Sequence, residues 1–121
     1  MSKFSISENI SAFLRLIRWK NLLIISITLI GLYFFGSREN AGDFDTQFIL
    51  YLCAAVLVMA AGNVINDIYD YKIDLINKPT VVVGNVFSKR TSIVIYLVLN
   101  VAALLFIQRW LFLVYALTAI V

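Results

Sequence analysis

The sequence of 121 residues is 62% hydrophobic and 14% charged, with ten Lys and Arg against seven Asp and Glu and a formal net charge of +3. That apolar share exceeds the roughly 45–50% of soluble domains and excludes an ordinary water-soluble globule, and the small positive balance is not that of a nucleic-acid-binding surface. With no histidine and one cysteine, Cys53, imidazole acid–base chemistry, histidine-bound zinc and an intrachain disulfide are excluded within these residues.

The first predicted element is amphipathic. In "ISAFLRLIRWK", Arg15, Arg18 and Lys20 alternate with Phe13, Leu14, Leu16, Ile17 and Trp19, a pattern suited to lying along a membrane interface. A cleaved signal peptide competes for this region, but no small-x-small cleavage site follows the apolar run. Next come 17 uncharged positions between Lys20 and Arg38, then 21 between Asp45 and Asp67, then 18 between Arg90 and Arg109. A hydrocarbon core about 30 Å thick takes roughly 20 helical residues, so each run meets the length of a span, the first only just.

The expectation is an all-α, polytopic transmembrane helical bundle, with spans near 20–36, 48–66 and 91–108. A fourth run, 110–121, is 12 residues long. At ~1.5 Å per residue it reaches only about 18 Å, which suggests an N-terminal piece of a longer domain cut inside its fourth helix. Basic residues set the expected orientation. Lys3, Arg15, Arg18 and Lys20 precede the first span, and Lys72, Lys78, Lys89 and Arg90 lie in the 67–90 loop. The positive-inside bias puts both on the cytoplasmic side.

The chemistry concentrates at the end of the second span, in "NDIYDYKIDLINKP". On a helix with Asn66 at zero, Asp70, Asp74 and Asp67 fall at about 40°, 80° and 100°, and Asn63 at about 60°. Carboxylates this close disfavour joint ionisation unless a cation compensates. Oxygen ligands without His or paired Cys restrict a metal to hard cations, Mg²⁺ or Ca²⁺. A solvated helix end with Asp–Lys pairs satisfies the same residues; the position against a membrane face favours function.

The pattern Asn66-Asp67-x-x-Asp70-x-x-x-Asp74, followed by Asn77-Lys78-Pro79, resembles the first aspartate-rich motif of the UbiA superfamily of intramembrane prenyltransferases. The element "RWKN" resembles the family's Arg-Pro-x-Asn, keeping Arg18 and Asn21 but with Trp19 in place of proline. After the motif the family commonly continues Arg-Pro-Leu and Ser-Gly; this chain reads "TVVVGNVFSKR". The resemblance implies a single domain of about nine helices, of which residues 1–121 form about three and a half spans. It also implies Mg²⁺ at Asp70 and Asp74, with Asn66 and Asp67 assisting. The diphosphate of an isoprenyl substrate would meet Asn66, Asp67, Lys72, Lys78, Arg90, Asn21 and Arg18. The prenyl group would pass to a lipid-soluble acceptor.

The wider stretches "LRLIRWKN", "NDIYDYKIDLINKP" and "VVVG" are most similar to the geranylgeranylglycerol-phosphate geranylgeranyltransferase branch, although quinone-ring prenylation is equally a family activity. The family's second aspartate-rich motif has no counterpart here, since no acidic residue follows Asp74. Activity would then need the C-terminal half of the domain. An ion-binding transporter would place polar residues deeper in the spans, where Asn63 and Asn100 are the candidates. A non-catalytic membrane subunit is the third alternative.

Overall fold

In the computed structural model, residues 4–36, 46–78 and 80–107 are described. They form four helices: α1 (Ile6–Leu16), α2 (Trp19–Gly36), α3 (Thr46–Asn77) and α4 (Lys89–Leu105). The expected all-α architecture is what the described residues adopt. The fourth run, 110–121, lies outside them.

α1 begins with a capping box. The Ser5 hydroxyl accepts from the Glu8 N–H at 3.2 Å, and the Ser5 N–H donates to the Glu8 carboxylate at 2.6 Å. These two bonds satisfy N–H groups that the first turn of a helix leaves unpaired. α1 buries Ala12 and Leu16 and leaves Ile6 and Ile10 exposed. The amphipathic lead-in is therefore a helix of its own rather than the first turns of the span. It ends without glycine or proline, because Arg18 takes a left-handed backbone (φ 55°). Side chains reach that region at a cost of about 1–2 kcal/mol. The compensation is local: the Arg18 carbonyl accepts from the Asn21 and Leu22 N–H groups at 2.8 and 3.3 Å, which starts α2.

α2 and α3 are both long and apolar enough to cross a membrane. α3, with 32 residues, is about 48 Å long at ~1.5 Å per residue, against a hydrocarbon thickness of about 30 Å. Its length therefore exceeds the hydrocarbon thickness by about 18 Å, or roughly three turns of helix. The segment Asp67–Asn77 belongs to this helix, and the connection to α4 begins only at Lys78. α4 spans 17 residues, somewhat short of the 91–108 run from which a third span was expected.

α3 is the central element. Its buried alanines, Ala54, Ala60 and Ala61, allow close approach of its neighbours, while Tyr33 of α2 stacks on Phe48 with ring centroids 4.1 Å apart. At the motif end a compact core joins Ala12 and Leu16 of α1, Val64 and Ile68 of α3, and Val82 and Val83 of the connection. The connection is thus anchored, not splayed into solvent. The Gly84 N–H donates to the Phe87 carbonyl at 2.7 Å, and the Val82 carbonyl accepts from Val86 and Phe87. Gly84 has φ +90°, and a Cβ there would stand 3.2 Å from Leu75 Cδ1. Ser88 then caps α4, its hydroxyl accepting from the Thr91 N–H at 3.1 Å.

Candidate active-site face of helix α3

The polar face of α3 is divided between structural bonds and open groups. Asn63 donates from Nδ2 to the Ile17 carbonyl at 2.9 Å. One turn later, Asp67 Oδ1 accepts from Arg18 Nη2 at 2.9 Å, with the Asp67 side chain 18% exposed and that of Arg18 44% exposed. Both bonds terminate on the α1–α2 bend, so the face near 60–100° is what α3 presents to it. The left-handed conformation at Arg18 turns the chain there. Its guanidinium is then supplied with an acceptor by α3.

The remaining carboxylates behave differently. Asp74 pairs with Lys78 at 3.0 Å, one turn away, and its side chain is 14% exposed. Asp70 receives only a long bond from Asn66 Nδ2 at 3.4 Å. Among the described residues Asp70 has no ion pair. Its residue is exposed, as is Asn66. Among the described residues Asp67 and Asp74 are compensated and Asp70 is not.

The basic residues divide as well. Arg18, with Arg15, Lys20 and Asn21, lines a cleft of about 290 Å³ at the α1–α2 bend. Lys78 stays with Asp74. Lys72 lies apart from the carboxylates. It lines a separate groove between α3 and α4, with Lys89, Tyr69, Tyr71 and Tyr96. The reason is helical geometry, since Lys72 lies at about 240°, far round from Asp70 at about 40°. Arg90 sits exposed in the first turn of α4, and no contact joins it to the carboxylates among the described residues. Sequence reasoning placed Asn63 on the polar face but missed its use as a cap for the Ile17 carbonyl. Its spacing of one turn from Asp67 was the available signal.

Among the described residues no three acidic, cysteine or histidine side chains converge on a point that would hold a metal. The oxygen set at Asn66, Asp70 and Asp74 suits a hard cation that draws only one or two ligands from a protein carboxylate and the others from water and phosphate. As a donor set it fits a hard divalent cation, as part of a site.

The model of the UbiA prenyltransferase family matches residues 22–121. The chain belongs to the UbiA prenyltransferase family. Curated relatives agree. A digeranylgeranylglyceryl phosphate synthase of Methanobrevibacter smithii is 59% identical over 39 residues, covering 32% of this chain and 14% of that protein. Proteins of the same name from Methanococcus maripaludis and Methanocaldococcus jannaschii are 42% and 38% identical over 73 residues, covering 59% and 60% of this chain and 25% of each relative. The matched segment is thus about a quarter or less of these UbiA-type relatives. No solved structure matches the chain. Membership of this family, together with the two membrane-crossing helices, makes this an integral membrane protein.

Proposed function

We propose that this chain contributes the first diphosphate-binding face of an intramembrane, Mg²⁺-dependent prenyltransferase that moves an isoprenyl group from its diphosphate to a lipid-soluble acceptor. The observation that carries the reading is the uncompensated Asp70, one turn from Asn66, on a helix longer than the hydrocarbon is thick. The names of the relatives favour a glycerol-phosphate ether lipid as acceptor.

In this reaction the bond from C1 of the prenyl chain to the diphosphate oxygen breaks, and its electron pair leaves with the diphosphate. The acceptor oxygen bonds to C1, and its proton passes to the departing diphosphate. Asp70, Asp74 and the side-chain amide oxygen of Asn66 are the groups that would hold Mg²⁺, which would supply charge stabilisation to the departing diphosphate. Arg18 and Lys78, already paired with Asp67 and Asp74, stand where they add positive potential at the same face. Asn21, in the basic cleft beside Arg18, offers the diphosphate a neutral amide donor, and Arg90 is the further cation toward the connection. The apolar faces of the spans exclude water from the carbocation-like carbon. The remaining acidic ligands would come from the other half of the domain, and the 121-residue chain by itself would not turn over. The basic flanks support a cytoplasmic position for the motif.

The test uses membranes containing the full-length protein and labelled geranylgeranyl diphosphate. Transfer to geranylgeranylglyceryl phosphate, dependent on Mg²⁺ and lost in Asp70→Asn, is expected. Transfer to an aromatic acid instead would reassign the acceptor, and undiminished transfer by Asp70→Asn would remove Asp70 from the site.

A further inference from the structure

A second polar feature lies on the far side of α3 from the carboxylates. The groove between α3 and α4, about 510 Å³ in volume, holds two lysines, Lys72 and Lys89, among Tyr69, Tyr71 and Tyr96. Lys89 sits over the Tyr71 ring at 5.3 Å, which fixes its ammonium group at the mouth of the groove. Neither lysine has an ion pair among the described residues. The carboxylates of α3 point away, Asp70 at about 40° against about 240° for Lys72. The groove is therefore a local concentration of positive charge with no acidic counterpart among the described residues.

Its level in the membrane is set by α3. Lys72 lies beyond Asn66, in the last three turns of α3, and Lys89 opens α4 at the same end. Tyrosines cluster at this depth in membrane proteins because their rings are apolar and their hydroxyls polar. From the groove an apolar stripe runs down α4 through Ile93, Leu97, Val101 and Leu105, each four residues after the last and all exposed. The stripe is about 18 Å long. Two lysines at headgroup height above an exposed apolar track match the chemistry of a lipid with an anionic phosphate and an acyl chain, and basic pockets between membrane helices on the cytoplasmic side bind such headgroups.

We propose that this groove is a binding site for an anionic membrane phospholipid, its phosphate between Lys72 and Lys89 and one acyl chain along the α4 stripe. The site is separate from the prenyl-transfer face and its occupant is a structural or regulatory lipid rather than a reactant.

The experiment reconstitutes the full-length protein in nanodiscs of phosphatidylcholine with or without phosphatidylglycerol and counts retained lipid by native mass spectrometry. Wild type should retain phosphatidylglycerol preferentially, by about fivefold for each lysine engaged. K72Q/K89Q should fall to parity, whereas K72R/K89R and D70N should keep the preference. The charge-preserving variant separates loss of the site from loss of the fold. Equal retention in wild type and K72Q/K89Q overturns the proposal. So does displacement of phosphatidylglycerol by inorganic phosphate alone, which would mean a simple anion site, or by geranylgeranyl diphosphate, which would make the groove a substrate path.

Discussion

Asn63 of α3 donates a hydrogen bond to the main-chain carbonyl of Ile17, 46 residues earlier, at 2.9 Å. That carbonyl lies where α1 has ended and α2 has not begun, so no helix supplies it with a partner. The bond ties the bend to the same face of α3 that carries the aspartates. Asn63→Leu should therefore loosen the bend and leave the Ile17 carbonyl unsatisfied. A loss of about 1–3 kcal/mol is expected, read as a lowered thermal unfolding midpoint in detergent, with Asn63→Gln recovering part of it. An unchanged midpoint in Asn63→Leu would contradict this.

Arg18 sustains two effects of opposite sign. Its left-handed backbone costs stability, and its ion pair with Asp67 returns some of it. Because the guanidinium is nearly half exposed, the pair is worth at most about 1 kcal/mol. Arg18→Gly should leave overall stability within roughly 1 kcal/mol of wild type, since relief of the backbone offsets the lost pair. Arg18→Ala keeps the strain and loses the pair, so it should be the less stable of the two. A double-mutant cycle with Asp67→Asn measures the pair alone.

Gly84→Ala carries two penalties, the φ of +90° and a Cβ 3.2 Å from Leu75 Cδ1. Destabilisation of about 1–2 kcal/mol is expected. Adding Leu75→Ala should remove only the steric part, because the backbone conformation remains. Limited proteolysis of the connection, which would accelerate in Gly84→Ala, provides the measurement.

Glu8 at the first turn of α1 has its carboxyl held below the usual range by the Ser5 backbone N–H and then by the Ser5 hydroxyl. A depressed folded value means that the stabilisation is present above the unfolded value, near 4.3, and is lost as pH falls through the folded one. The helical signal of α1 should accordingly fray as the medium is acidified below the ordinary range of a glutamate carboxyl. Glu8→Gln should remove that pH dependence, as followed by amide exchange of residues 6–9.

For catalysis, Asp70→Asn should lower prenyl transfer by at least about two orders of magnitude, with membrane insertion unchanged. Asp67→Asn should be milder, since Asp67 is engaged by Arg18. Initial rates across Mg²⁺ concentrations would separate the two, with a raised metal requirement confined to the Asp70 variant.

Much of this was written in the sequence. The uncharged runs located α2 and α3, and the 100° rule gathered Asn63, Asp67, Asp70 and Asp74 onto one side of a helix. The same rule puts Lys72 on the other side. The break at Ile17 and Arg18 was not legible, because it uses no glycine or proline and depends on partners from α3, distant in sequence. Nor was the burial of Val82 and Val83. A valine run in a polar connection has the composition of a strand, and only the space left between α1 and α3 explains why it packs as a plug. Which carboxylate stays uncompensated likewise depends on Arg18 reaching across from another helix.

The length of α3 bears on what a prenyl donor must give up to be bound. Anchored by its diphosphate at Asp70, a donor would leave its hydrocarbon tail at the depth it already occupies as a membrane solute. Lifting such a tail into water costs about 0.8 kcal/mol for each methylene, and a binding protein that fetched its ligand from the aqueous phase would have to recover that by contacts of its own. A helix three turns taller than the bilayer core avoids the transfer. The greasy end of the ligand need never change solvent.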